Sequence, residues 1–211
     1  MTAEYEAEAE PVSQTAEVLE LDTGTFVYHW PQWLPPRRAD RLFRSLYEHT
    51  PWRQETLFLF GRQHAVPRLQ AWFGDPDASY SYSGISLTPL PWPADLQAIR
   101  DRLCRLIQVP FNGVLVNLYR DGRDSMGWHS DNEPELGSRP VIASLSLGER
   151  RRFRLRQIRN KKRIHTLGLD HGSLLVMAAG VQEAWQHQVP RTAAACQPRI
   201  NMTFRCLLSS A

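Results

Sequence analysis

Apolar and polar residues follow two regimes along this chain. Before about residue 110 the longer apolar patterns return every three to four positions, and from 111 onward every second position. Ala39, Leu42, Phe43 and Leu46 fall on one side of a 3.6-residue repeat behind Pro35-Pro36, which predicts a helix over 36–49. Leu96, Ile99, Leu103, Leu106 and Ile107 predict a second helix over 94–108. Between them, residues 53–93 scatter seven aromatics among Gly and Pro, which predicts short strands in a loop-rich lobe. "GTFVYHWPQWL" predicts a short strand and an entry loop ahead of the first helix.

Beyond residue 111, "VLVNLYR", "VIASLSL", "RFRLRQI", "HGSLLVMA", "EAWQHQV" and "RINMTFRCL" are six strand candidates separated by turn signals. Helices first and many strands afterwards point to a mainly β chain of α+β class, with helices outside a β-sandwich or jelly roll. At 211 residues one domain with its own core is expected.

Strand phase then separates packing faces from chemical ones. Val114, Val116 and Leu118 share one face, and Asn117 and Tyr119 the other. Ile200, Met202, Phe204 and Cys206 share an apolar face opposite Arg199, Asn201, Thr203 and Arg205. If that polar face turns inward, two cations are buried, which is costly unless an anion answers them. A guanidinium fork matches a carboxylate, so a small dicarboxylate inside the barrel resolves the problem. A solvated outer face is the alternative.

Charge changes the picture once it is divided. Of 22 acids, seven lie in residues 1–22 with no Lys or Arg, leaving 15 acids against all 25 bases in the remainder. The acidic segment 1–22 is expected to be disordered, and the basic body over 23–211 suits a polyanionic partner. Arg150–Arg163, "RRRFRLRQIRNKKR", packs nine bases into fourteen residues. Phe153 and Leu155 alternate there with Arg152, Arg154 and Arg156, and Lys161 and Lys162 follow in a basic turn, a pattern suited to phosphate contacts. No apolar run approaches the roughly 20 residues of a membrane span. The start of the chain has no leader pattern, and three cysteines (Cys104, Cys196, Cys206) are odd in number and not at zinc spacing. A reducing compartment is expected, cytoplasmic, or nuclear in a eukaryote, with a monomeric protein and no membrane association.

"GWHSDNE" carries the candidate chemistry. In an extended strand His129, Asp131 and Glu133 project to one face. His187, which shares a strand face with Trp185 and Val189, supplies a third donor. Two histidines and one carboxylate make the facial set that leaves positions open on non-haem Fe(II), where a 2-oxo acid and O2 bind. His29, His49 and His165 are expected at surfaces or turns, and His171 at a turn.

H-x-D at 129–131, a distal histidine at 187, "NLY" at 117–119 and "RINMTFR" at 199–205 together resemble the AlkB family of Fe(II)/2-oxoglutarate-dependent dioxygenases, in its DNA-repair branch. The resemblance runs from about residue 55 to 207. It implies a double-stranded β-helix of cupin-like type, a core over about 111–207 and a nucleotide-recognition lobe over about 53–93. It implies iron on His129, Asp131 and His187, which would be catalytic. It implies 2-oxoglutarate contacts from Asn117, Tyr119, Arg199 and Arg205, with Asn201 and Thr203 in support. It also implies oxidative demethylation of bases such as 1-methyladenine and 3-methylcytosine, releasing formaldehyde, succinate and CO2.

"LFGRQHAVPRLQAWFGD" and "YSYSG" resemble the nucleotide-recognition region of the same branch. That likeness implies Tyr82 stacking on a flipped base, Phe60 as a wedge, and Arg68, Tyr80 and Glu133 near the substrate. Flipping costs a few kcal/mol, and stacking of about 1–3 kcal/mol per base offsets much of it. One departure stands out: duplex-acting members carry a basic loop after the distal histidine, whereas this chain has "PRTAAACQPR". Alkylated DNA is therefore one expected partner and RNA another. A protein or lipid substrate for the same chemistry, and a non-catalytic nucleic-acid-binding module, are the alternative functions.

Overall fold

A computed structural model describes residues 15–59, 62–82 and 85–208 of the chain. The chain enters through strands β1 (Glu17–Asp22) and β2 (Thr25–Trp30) and helix α1 (Pro36–His49). Short strands follow: β3 (Thr56–Leu59), β4 (Arg62–Ala65), β5 (Leu69–Gly74), β6 (Tyr80–Tyr82) and β7 (Ile85–Leu87). Helix α2 (Ala94–Ile107) then leads into β8 (Gly113–Tyr119), β9 (Met126–His129), β10 (Ile142–Gly148), β11 (Arg151–Gln157), β12 (Ile164–Leu169) and β13 (Leu174–Met177). A four-residue helix α3 (Val181–Ala184) runs directly into β14 (Trp185–Val189), and β15 (Arg199–Arg205) closes the order.

Among the described residues, the strands form a seven-stranded sheet in the order β1-β2-β13-β10-β15-β8-β5, a four-stranded sheet β12-β11-β14-β9, and two separate hairpins, β3-β4 and β6-β7. Both larger sheets are antiparallel throughout, and together they form the jelly roll that the period-two segments predict. Two cores follow from strand alternation. Val114, Val116, Leu118, Ile200, Met202 and Phe204 pack with Leu42 and Leu46 of α1 and Leu96, Ile99 and Leu103 of α2. The opposite faces meet the four-stranded sheet, where Leu115, Tyr119, Ile142 and Met177 join Phe153, Leu155, Trp185 and Val189. The helices thus cover one face of the large sheet, and the site lies against the other.

Three expectations need correction. The acidic segment does not stay unfolded to residue 22, because Glu17–Asp22 forms β1 against β2. Leu21 is fully buried, and the Asp22 carboxylate accepts hydrogen bonds from the Trp185 indole (2.9 Å), the Gln157 amide (2.8 Å) and Arg163. The aromatic stretch 53–93 is not one lobe: β5 leaves it to pair with β8 in the large sheet, and the two hairpins remain. Finally, His29 sits inside β2, buried, with Nδ1 3.2 Å from Glu17. No helix of the described residues is long and apolar enough to cross a membrane.

Phe204 shows how the sheet–helix core is held. It is fully buried and meets Phe111 edge-on at 6.4 Å. Replacing it with Ala is expected to cost about 3–5 kcal/mol in urea unfolding; a loss under about 1 kcal/mol would contradict this packing.

Candidate active site

The site begins with β15, whose seven residues are all buried. Register with β8 sets Arg199 opposite Tyr119, Asn201 opposite Asn117 and Thr203 opposite Leu115, so one polar row faces the space between the sheets. Strand β10 adds Ser144 and Ser146, paired with Thr203 and Asn201. From the four-stranded sheet, β14 aims His187 into the same cavity, directly across from His129 on β9.

His129, Asp131 and His187 converge there. One ligand atom from each lies within 4.8 Å of the others, and the two imidazole rings are 4.1 Å apart between centroids. The phase argument for Asp131 needs amending, because β9 ends at His129 and the next residues form no strand. Asp131 is held instead by hydrogen bonds. Its backbone N–H donates to Gln182 Oε1 (3.0 Å), and its Oδ2 accepts from Arg205 Nη2 (2.9 Å). The neighbouring Ser130 hydroxyl donates to the Trp185 carbonyl (3.0 Å).

Protonation suits cation binding. A carbonyl only accepts, so His129 Nδ1, 2.9 Å from the Gly127 oxygen, carries the proton and leaves Nε2 with its lone pair. Burial pushes both histidines below the ordinary imidazole range, His187 to about 3, which keeps them neutral. Burial alone would raise Asp131, but the Arg205 guanidinium overrides it and holds the carboxyl at about 2. Two neutral imidazoles and one carboxylate fit a divalent metal that prefers mixed nitrogen and oxygen donors.

A second feature fits an anionic co-ligand. Arg199 and Arg205 are 1% and 3% exposed, which removes the solvated alternative. Arg205 is answered by Asp131. Arg199 lies over the Tyr119 ring at 5.2 Å and donates Nη2 to the Ser146 hydroxyl (2.9 Å). Its Nε and Nη1, and the Nε of Arg205, are buried without a hydrogen-bond partner among the described residues. Burial pushes Arg199 down to about 10, a measure of how poorly its charge is compensated. A small dicarboxylate such as 2-oxoglutarate would supply the missing acceptors.

The remaining expected residues fall into four groups. Asn117 accepts from Arg68 Nε (2.8 Å), and Asn201 donates to the Ser144 hydroxyl (2.8 Å) and the Leu145 carbonyl (3.1 Å) while Thr203 packs beside it (3.4 Å). Arg68 and Tyr80, expected near the substrate, are both buried. Tyr80 stacks on Trp72 at 4.9 Å beneath the Arg205 guanidinium, and its hydroxyl donates to Glu133. Arg152, Lys161 and Lys162 are exposed, while Arg154 and Arg156 stand over Trp128. Phe60 lies outside the described residues, and Tyr82 contributes its backbone to β6.

Sequence reasoning missed four contributors. Ser144 and Ser146 alternate with leucines in "VIASLSL", so the period-two pattern already marked them. Arg151 shares the inward phase of Phe153 and Leu155; it donates to the carbonyls of Asp121 (3.1 Å), Asp124 (2.9 Å) and Pro190 (2.8 Å), tying two loops together. Gln182 had no sequence signal. Gly180, with φ of +96°, turns the chain into α3, where Gln182 is 1% exposed. Its amide donates to Met177 Sδ (3.3 Å) while its oxygen holds Asp131.

Residues 26–205 match the 2OG-Fe(II) oxygenase superfamily. The chain is 38% identical over 186 residues to "Alpha-ketoglutarate-dependent dioxygenase alkB homolog 3" of Homo sapiens, covering 83% of this chain and 64% of that protein. It thus spans somewhat under two thirds of that relative's length. It is 41% identical over 180 residues to "DNA oxidative demethylase ALKBH2" of Mus musculus, covering 81% of this chain and 75% of that one. "The structure of OsALKBH1" superposes with a TM-score of 0.59 at 18% identity, over 85% of this chain and 97% of that chain, a likeness of fold.

The Gln182 bond generates a test. Gln182→Ala removes the acceptor that holds the Asp131 backbone, and is expected to weaken Mn(II) or Co(II) binding by about 10–100-fold in calorimetry. Unchanged metal affinity in a folded variant would show that Asp131 needs no such support.

Proposed function

The chain belongs to the AlkB family of 2OG-Fe(II) oxygenases, and from that premise we propose that it oxidatively demethylates N-alkylated bases in nucleic acid. The observation that carries this reading is one cavity in which two neutral imidazoles and an ionised carboxylate converge beside a buried guanidinium with unanswered donors. His129, Asp131 and His187 hold Fe(II), and Arg199 takes the distal carboxylate of 2-oxoglutarate with Tyr119 and Ser146 around it. When bound, the metal, keto acid and O2 supply oxidation of an N-methyl carbon to hydroxymethyl, with succinate and CO2 as co-products. The hydroxymethylated base then loses formaldehyde and is restored.

The chain's own side chains provide geometry and exclusion of water. Arg205 keeps Asp131 ionised and aimed through a 2.9 Å bond, so the carboxylate needs no proton loss before it meets the metal. Phe153 stacks on His187 at 5.4 Å and shields it from solvent. Asn117 and Asn201, with Thr203, line the keto-acid space.

At the substrate end, Glu133 accepts from Tyr80 while its Oε2 is buried without a partner among the described residues. An acceptor in that state matches the exocyclic amino group of an adenine or cytosine type of base. Tyr82 and Phe60 keep their parts as stacking partner and wedge on sequence grounds. Thr192–Pro198 has no Lys or Arg, which favours single-stranded DNA or RNA over a gripped duplex. The mouse relative is named a DNA oxidative demethylase, which supports the same substrate class.

Incubation with Fe(II), ascorbate, 2-oxoglutarate and oligonucleotides bearing 1-methyladenine or 3-methylcytosine tests this. Formaldehyde and restored base are expected, faster on single strands, and His187→Ala is expected to abolish both. Turnover of 2-oxoglutarate with no base restored in any context would refute the substrate, and an active His187→Ala protein would refute the metal site.

A further inference from the structure

The four-stranded sheet has a second face, turned away from the cavity. On β11, Phe153 and Leu155 are buried inward, so Arg152, Arg154 and Arg156 project outward. On β14, His187 faces the cavity, so Gln186 and Gln188 project outward, opposite Arg156 and Arg154. Strand β12 continues the same face with Ile164, Thr166 and Gly168. Strand β9, at the free edge, adds Trp128. The partner strands step out of register between His187 and Val189, beside this short strand, and Trp128 ends on the outside while Met126 and His129 both line the cavity.

The side chains on this face form an ordered layer. The Arg156 guanidinium lies 4.2 Å above the Trp128 ring, and that of Arg154 lies at 5.6 Å. Arg156 is fixed in that pose by donating Nη2 to Gln186 Oε1 (2.7 Å). Among the described residues, the outward positions of these four strands carry no Asp or Glu. Arg150 and Arg163 are paired with Asp170 and Asp22. By contrast, Arg152, Arg154, Arg159, Lys161 and Lys162 have no carboxylate partner among the described residues. A half-buried indole under a planar guanidinium, ringed by uncompensated cations, offers what an unpaired nucleic-acid strand needs: flat surfaces for bases and positive charge for phosphates.

We propose that this outer face is a single-stranded nucleic-acid platform distinct from the catalytic cavity, with Trp128 and its guanidinium layer stacking on nucleotides that flank the target. Arg152, Lys161 and Lys162 contact the backbone phosphates. The two faces meet along the free edge of β9, where consecutive residues point opposite ways: His129 to the cavity, Trp128 to the platform. A strand that places one base in the cavity passes around that edge and lies on the stack. This deepens the nucleic-acid reading of the cavity and rests on it for the target base, but not for strand binding.

The test uses the full chain and an unmethylated, fluorescein-labelled single-stranded DNA 15-mer, read by anisotropy across a salt series. Trp128→Ala is expected to weaken binding about 10-fold with the salt slope unchanged, the size of one or two lost stacking contacts, and Trp128→Phe to recover most of it. Arg154→Ala/Arg156→Ala leaves the sequence of β9 unchanged and is expected to weaken binding comparably. Lys161→Ala/Lys162→Ala is expected to reduce the log–log salt slope by about 1.4, two phosphates' worth on a single strand. Binding by Trp128→Ala or the arginine pair within twofold of the native protein, or an unchanged slope in the lysine pair, overturns the platform. A native protein that binds the 15-mer through Trp128 yet restores no methylated base overturns the demethylase reading alone.

Discussion

Two guanidiniums buried on one strand set the terms for the rest of this molecule. Strand β15 cannot turn Arg199 and Arg205 outward, because Ile200, Met202 and Phe204 already commit its other face to the helices. A buried cation is tolerated only where charge or hydrogen bonds answer it. Arg205 finds Asp131, and in doing so fixes the carboxylate that stands with two histidines. Among the described residues Arg199 finds a ring and a hydroxyl but no anion, and two of its donors have no partner. The two guanidiniums therefore shape a place suited to a small carboxylate held next to a metal.

The precision of the site comes from how distant segments are stapled together. His129 ends a four-residue edge strand, a weak support for a ligand. Its surroundings compensate. Register with β14 sets it beside His187, Ser130 bonds to the Trp185 carbonyl, and Gln182 reaches back to Asp131. All of these partners lie within the six residues 182–187 on α3 and β14, so one short stretch of chain indexes all three donors. On the outside, Arg154 and Arg156 press on Trp128 and add to the hold on β9. The same contact that steadies the ligand strand thus also shapes the exposed surface beside it.

Much of this was legible because strand alternation writes chemistry into the sequence. "RINMTFR" and "VLVNLYR" separate packing from polar faces at sight, and both faces lie where that separation puts them. The helices at 36–49 and 94–107 follow from their apolar spacing for the same reason. What was hidden depends on contacts between segments. "MGWH" is too short and too broken by a bulge to show a period, and Asp131 owes its place to Gln182 and Arg205 rather than to strand phase. Acidity suggested disorder through Asp22, yet a buried Leu21 and the Trp185 indole draw that segment into the sheet. Arg68 and Tyr80, expected near the substrate, are buried, Arg68 donating to Asn117 and Tyr80 lying beneath Arg205, contacts between segments that no local pattern announces.

The most direct measurement compares two keto acids on the metal-loaded protein. Calorimetric titration of the Mn(II) form with 2-oxoglutarate and with 2-oxobutyrate, which lacks the distal carboxylate, isolates the contribution of Arg199. Leaving one side of a buried charge pair empty costs about 2–5 kcal/mol, so the diacid should bind at least about 30-fold more tightly. Equal affinities would mean that the buried guanidinium is satisfied without it, and the reading of the cavity as a keto-diacid and metal site would fail.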